Sequence, residues 1–392
     1  MEHKDYGFNQ DLEGFAVDLY KQFNIGSTSH DLVYGFESEE ASYSRPKDRY
    51  ETNLITGEIN RVFFGPEVFP NKAFPDSEVV RDAFYFSDRI SLSESTTFVF
   101  GLRHDNYEQK AIVDSLSAAG NPANHPLLPR EDSETSLKLG VIQDLSDVVS
   151  VFAQVAEGYR NPDFTDAYNT YTNYAFGYTI IPNPDLKAEY STGYELGLRG
   201  TKDDVKWSLV LFKNNFKDFI DSNLYSLPPV NGVLQVRYEN LESVRTKGVE
   251  FEIRRNISET LSSFAGFALN ESDNLINESI TPDQLKYGLS HISKSGNVST
   301  NYVMTYTADS PRLPPIVGRS GSTPAVFAPR SITHDVFMDL DLSENFDLRL
   351  GIRNITDEKY WDWVSVAGLA EGTAQQYLNP GTNLSLDLRY TF

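Results

Sequence analysis

The sequence predicts an all-β fold, an antiparallel transmembrane β-barrel, on three observations. The chain ends on an unbroken period-2 stripe: within TNLSLDLRYTF, Leu384, Leu386, Leu388, Tyr390 and Phe392 share one face, and Ser385, Asp387, Arg389 and Thr391 share the other. An exposed apolar edge of that kind is a hazard in water, whereas a lipid-facing strand requires it. Short turns then alternate with long, aromatic, Pro/Gly-rich excursions, as periplasmic turns and extracellular loops do in outer-membrane barrels. Finally, aromatic residues reach 13%, with 22 Tyr and 25 Phe against 3 Trp. The hydrophobic fraction is only 40%, mean hydropathy is −0.40, and no run of about 18 apolar residues exists to form a membrane helix. Barrel strands alternate lipid-facing and lumen-facing residues, so averaging conceals the membrane.

In chain order, strands are predicted over 12–24, 29–38, 78–91, 95–106, 134–144, 147–157, 190–201, 204–220, 244–256, 259–272, 283–292, 297–308, 331–343, 346–356 and 379–392, fifteen in all. Alternation is plain in Phe98/Phe100/Leu102, Leu137/Leu139/Val141, Tyr194/Leu196/Leu198, Val249/Phe251/Ile253 and Val336/Met338/Leu340/Leu342. Gly101, Lys138, Glu195, Glu250 and Asp339 sit between those residues, as a lumenal face requires. Segments 283–292 and 297–308 alternate least, and His291 with Lys294–Asn297 fits one long loop equally well. Tight turns fall at Leu92–Glu94, Leu145–Ser146, Lys202–Asp203, Ile257–Ser258, Lys294–Gly296 and Glu344–Asn345. Long excursions occupy 39–77, 107–133, 158–189, 221–243, 309–330 and 357–378. A propeller or sandwich would space its turns more evenly.

Composition narrows function. A net charge of −22 argues against a nucleic-acid partner, whose phosphates need a basic surface. Zero cysteines remove disulfides and thiolate metal sites. No hydrolytic zinc spacing or phosphate-binding glycine loop occurs. Pairs such as Asp163/Asp166 and Asp203/Asp204 are expected by chance among 56 acidic residues, so no enzyme is predicted. A passive porin is the rival of another class.

Fifteen strands is the wrong parity for a complete bacterial single-chain barrel, which brings both termini to the periplasm. Met1 is followed by Glu2, His3, Lys4 and Asp5, without the basic and apolar regions of a signal peptide. The expectation is that residues 1–392 form the C-terminal portion of a longer protein.

Four blocks then appear in a fixed order. Tyr159-Arg160-Asn161-Pro162 ends one strand, and Asn183-Pro184-Asp185-Leu186 follows with Lys187 and Glu189 before a strand opening on Tyr194-Glu195-Leu196-Gly197. Arg245-Thr246-Lys247-Gly248-Val249-Glu250 comes next, then Asn354-Ile355-Thr356-Asp357-Glu358-Lys359-Tyr360-Trp361, with Pro380-Gly381 before the last strand. Together they resemble the TonB-dependent outer-membrane receptors over roughly residues 150–392. The stretch Arg45-Pro46-Lys47-Asp48-Arg49, with Glu51-Thr52-Asn53-Leu54, Thr56-Gly57, Pro70-Asn71-Lys72 and Phe74-Pro75-Asp76, is most similar to the haem and haemoglobin receptor branch. Siderophore receptors share the barrel blocks and stay open as an alternative. The terminal stripe Leu384/Leu386/Leu388/Tyr390/Phe392 resembles the signal read by the barrel assembly machinery.

The resemblance implies an outer-membrane location, a barrel of about 22 strands whose N-terminal plug and first strands are missing from residues 1–392, and uptake energised by the TonB complex acting through that plug. It also implies haem or haemoglobin as ligand, with no resident cofactor. Many haem receptors place an axial histidine between the first two blocks, whereas residues 163–182 hold none. Tyr168, Tyr171, Tyr174 and Tyr178 fill the interval. A phenolate can ligate haem iron, and a tyrosine cluster can grip a protein; packing of the loop is the other reading. Among histidines, His3 lies at the start, His30 at the bottom of its strand beside a turn, and His104 and His334 at or near strand ends. His125 and His291 are the loop candidates, the latter only if its strand fails.

Overall fold

Strands form at all fifteen predicted positions. A computed structural model describes residues 1–61, 69–72, 74–121, 123–173, 177–220, 225–230, 232–273, 280–313, 316–318 and 321–391. The wall strands are β1 (Asn9–Ile25), β2 (Thr28–Ser44), β3 (Asp76–Ser91), β4 (Thr96–Ile112), β5 (Arg130–Ser146), β6 (Val149–Arg160), β7 (Glu189–Lys202), β8 (Val205–Ile220), β9 (Asn240–Asn256), β10 (Leu261–Ser272), β11 (Gln284–Ile292), β12 (Val298–Thr307), β13 (Ser331–Ser343), β14 (Phe346–Arg353) and β15 (Asn383–Tyr390). They follow one another in chain order in one 15-stranded sheet. Gln284–Ile292 and Val298–Thr307 pair antiparallel through nine residue pairs, so the ambiguous stretch is a hairpin. His291 is therefore a strand residue opposite Thr300 and leaves the set of loop candidates. His104, expected at or near the end of a strand over 95–106, lies further inside it, opposite Phe84, because β4 continues to Ile112. The terminal Phe392 lies outside the described residues.

Chain contacts divide the molecule into one unit of residues 1–140, 155–192 and 215–243 and another of 141–154, 193–214 and 244–392. In the first unit, β1 and β2 pair without a bulge from Asn9↔Ser44 to Ile25↔Thr28. One face carries exposed Phe15, Val17, Leu19, Phe36, Phe84 and Phe98, which is the lipid side. On that face the residues beyond Phe15, Phe36, Phe84 and Leu102 toward the long loops are Glu13, Ser38, Asp82 and His104. The edge of the belt is stepped from strand to strand: Phe36 opposes Phe84, whereas Phe15 opposes Ser38 and Phe84 opposes His104.

Strands of 17 residues such as β2 and β4 exceed the roughly 9–11 residues that cross a bilayer, so their upper ends stand outside it. That explains the one systematic difference from the predicted spans. Above the belt both faces are polar, alternation stops, and β2 runs to Ser44 where the pattern predicts an end near 38.

In the second unit the last three strands lock row by row. Val336, Ile352 and Leu384 align, as do Met338, Leu350 and Leu386, and Leu340, Leu348 and Leu388. The alternate rows place Arg349 between Asp339 and Asp387. Leu384, Leu386, Leu388 and Tyr390 remain exposed, as lipid-facing residues do.

The loops build structure of their own. Residues 2–6, 46–52, 59–61 and 71–72 form one small sheet, and 172–173, 178–180, 225–230 and 233–237 another. Small cores sit with them: Phe74, Ala167 and Tyr168 in the first unit, and Val326, Ala328, Trp363, Val366 and Ala374 in the second.

Candidate functional site

The first two sequence blocks meet at the loop end of the wall, within the first unit. Strand β6 ends at Arg160, and Pro162 cannot continue the ladder because it lacks an N–H. Asp163 then caps the short helix Phe164–Tyr168, its carboxylate accepting the Thr165 and Asp166 N–H groups at 2.7 and 2.8 Å. Gln109, fully buried on β4, receives this turn: with its amide nitrogen toward Pro162 it donates to that carbonyl at 3.1 Å and accepts the Phe164 N–H at 3.1 Å.

Three charged groups tie the blocks together. Arg160 Nε donates to Glu189 Oε2, and Arg160 Nη1 reaches Asp166 Oδ2 at 3.4 Å. Glu189 Oε1 accepts the Ile220 N–H at 2.5 Å. Burial, aided by the Asp163 charge, pushes the Asp166 carboxyl up to about 6 against the pull of Arg160.

The second block binds the loop 161–188 to the loop 221–239. Asn183 donates from Nδ2 to the Tyr238 carbonyl at 2.9 Å and accepts the Asp185 N–H at 3.1 Å, an Asx turn. Asn240 exchanges two hydrogen bonds with the Lys187 backbone at 2.8 and 3.0 Å. Tyr178–Ile180 runs parallel to Leu234–Val236 in the small sheet. The described residues of the two loops are therefore hydrogen-bonded to one another.

The tyrosines separate by environment. Tyr168 is 1% exposed, with its hydroxyl within reach of the Gln109 and Leu128 carbonyls at 3.2 and 3.0 Å; it packs the loop. Tyr171 takes the Lys47 ammonium on its ring face at 4.5 Å and meets Tyr178 edge-on with centroids 6.5 Å apart. Tyr174 lies outside the described residues. His125 is half-buried, its backbone clamped by the Asn121 amide at 2.9 and 3.0 Å, and burial pushes its imidazole below the ordinary value. Among the described residues no three His, Cys, Asp or Glu side chains are placed to hold a metal ion.

Beneath these loops, on the face of the wall opposite the apolar belt, lies a cavity of about 610 Å³ lined by Glu37, Arg81, Arg103, Asp105, Tyr107 and Tyr159, among others. Arg103 is spent there: it forks onto Asp105 at 2.9 and 3.0 Å and reaches Glu37 at 2.7 Å. Of the groups that build this end, the sequence blocks contain Arg160, Asn183 and Glu189. Gln109, Asn240, Arg81 and Arg103 belong to none of the quoted blocks, because strand pairing alone brings them in.

Comparison with known proteins agrees with this architecture. A family model described as "TonB dependent receptor-like, beta-barrel" matches residues 3–355. The chain is similar, at 22% identity over its whole length and 47% of the relative, to a probable hemoglobin and hemoglobin-haptoglobin-binding protein 4 of Haemophilus influenzae. It is 30% identical, over 68% of its length and 31% of the relative, to hemoglobin and hemoglobin-haptoglobin-binding protein C of the same species. It is also 22% identical, over its whole length and 53% of the relative, to the hemoglobin-haptoglobin utilization protein B of Neisseria meningitidis serogroup C. The chain thus spans from under a third to about half of these relatives.

Among solved structures, the copper transporter OprC superposes with a TM-score of 0.72 at 17% identity, over 99% of this chain and 57% of that one. The siderophore receptor PirA from Acinetobacter baumannii gives 0.69 at 18%, over 98% and 55%. At such identities these two show the fold alone. The matched proteins are receptors and transporters rather than enzymes. A wall of chain-ordered strands with an apolar belt, loops knitted at one end and a family match over residues 3–355 lead to one assignment: the chain belongs to the TonB-dependent receptor-like β-barrel family of outer-membrane proteins.

Proposed function

We propose that this chain is the C-terminal barrel wall and ligand-facing loop end of a receptor that takes up haem, or haem from haemoglobin. The observation that carries the reading is the run of haemoglobin-binding relatives similar to the chain over 68–100% of its length. The loop chemistry suits it. Tyr171 and Tyr178 supply phenols in the interval between the blocks, and burial lowers the His125 imidazole, which favours the neutral form that ligates iron. The hydrogen bonds of Asn183, Asn240 and Glu189, which join the described residues of the two loops, would lower the cost of ordering them against a protein ligand.

The energised step belongs, in this reading, to a plug and TonB-contact segment in the part of the receptor length that this match does not cover. The 392-residue chain alone would then bind without transporting. The test is retention of haemoglobin by the purified chain in detergent, beside ferric enterobactin and ferric pyoverdine as competitors. Haemoglobin retained and unaffected by the siderophores supports the reading. Retention of a ferric siderophore with no capture of haemoglobin overturns it in favour of a siderophore receptor.

A further inference from the structure

The cavity beneath the loops contains a cation, Arg81, that forms no ion pair among the described residues. Arg81 on β3 lies opposite Glu39 on β2 and opposite Tyr107 on β4, so its side chain shares the lumenal face with Arg103, Asp105 and Glu37. Arg103 is committed to Asp105 and Glu37, and Arg160 to Glu189 and Asp166. Arg81 is exposed and makes no hydrogen bond or ion pair among the described residues, not even with Glu39. It sits just above the apolar belt, since Asp82 marks the belt's edge on the same strand. The rings of Tyr107 and Tyr159 line the same cavity.

A guanidinium left open in a chain of net charge −22, beside two phenol rings and in a cavity of about 610 Å³, suits one kind of ligand group. Its planar fork matches a carboxylate through two parallel hydrogen bonds, while the tyrosine rings offer flat apolar surface to the body that carries it. The volume falls in the range of roughly 300–1,000 Å³ typical of small-molecule sites. We propose that Arg81 is the seat for a carboxylate of the transported ligand. Two ligand classes carry that chemistry, a porphyrin with propionate arms and a ferric hydroxycarboxylate. The porphyrin version rests on the function proposed above; the seat itself does not.

The experiment titrates the full 392-residue chain in detergent with protoporphyrin IX, with its dimethyl ester and with ferric citrate. The variants are Arg81→Gln, Arg81→Lys and, as control, Arg89→Gln. Arg89 lies on the same face of the same strand, about 26 Å toward the short turns at 3.3 Å per residue. The expected result is a loss of roughly tenfold or more in affinity for the free acid in Arg81→Gln, on the scale of a charge-assisted hydrogen bond. Arg81→Lys should lose less, the ester should be unaffected, and Arg89→Gln should match the parent. Ferric citrate binding that depends on Arg81, with no porphyrin binding, would uphold the seat and remove the haem reading. Porphyrin binding indifferent to Arg81 would overturn the seat and leave the haem reading standing. Equal losses for acid and ester, or no carboxylate probe bound by the parent chain, would overturn the seat.

Discussion

The Glu189 carboxylate accepts the main-chain N–H of Ile220 at 2.5 Å, and this bond joins the strand that leaves one long loop to the strand that enters the next. Glu189 is 8% exposed and holds Arg160 with its other oxygen. Replacing it with alanine strands a buried N–H and frees the guanidinium, a cost of about 1–3 kcal/mol. Glu189→Ala is expected to open both loops to protease together, with cleavage in 161–188 and 221–239 rising in parallel. Cleavage confined to one loop would show that these hydrogen bonds do not couple them.

The lipid-facing row Met338, Leu350 and Leu386 predicts a face-dependent response. Leu386→Arg puts a charge against hydrocarbon at a cost of about 2–4 kcal/mol near the bilayer midplane, and should lower the folded fraction recovered from outer membranes. Asp387→Asn, one residue along and on the lumenal face, should leave that fraction close to the parent. Equal effects would mean that the two faces are misassigned.

Close packing across strands rests on glycine at Gly197. A Cβ there would lie 2.2 Å from Phe152 Cζ, so Gly197→Ala must displace the ring or the strand, with a destabilisation of about 1–3 kcal/mol. Gly372→Ala has nothing within 4 Å and serves as the control. Urea titration of both variants in detergent should separate them; coincident midpoints would refute the packing claim.

The loop around Asp166 should tighten in mild acid. Its folded carboxyl value, about 6, lies above the unfolded one near 4, so the native loop binds the proton more tightly. The contribution to stability is therefore full below about 4, declines as pH rises, and is lost above about 6. Hydrogen exchange at Ala167–Asn169 should slow as pH falls from 7 to 5, after correction for intrinsic rates. Asp166→Asn should abolish the change, and a parent chain with flat corrected exchange would contradict the assignment.

The wall was legible in the sequence because alternation is a direct record of lipid on one side and lumen on the other. Phe98/Phe100/Leu102 and Leu384/Leu386/Leu388 announce their strands, and they end where the belt ends. Above it the signal fades: Glu39–Ser44 extends β2 with no pattern to show it. The small loop sheets are two to seven residues per strand, too short for periodicity. Tyr168 looked like its neighbours in sequence, yet the fold buries it against Gln109 and Leu128, because burial in a loop depends on partners distant in the chain. The arrangement of Arg81 beside Tyr107 arises only from strand register.

The most direct test of the whole account is which side of the membrane each end of the wall faces. The chain has no cysteine, so single cysteines introduced at Asp185, in the second block, and at Ser295, in a tight turn, can be probed with a membrane-impermeant thiol reagent on cells displaying the protein. The account predicts labelling at position 185 in intact cells and at position 295 only after the outer membrane is permeabilised. Labelling at 295 in intact cells, with 185 protected, would contradict it.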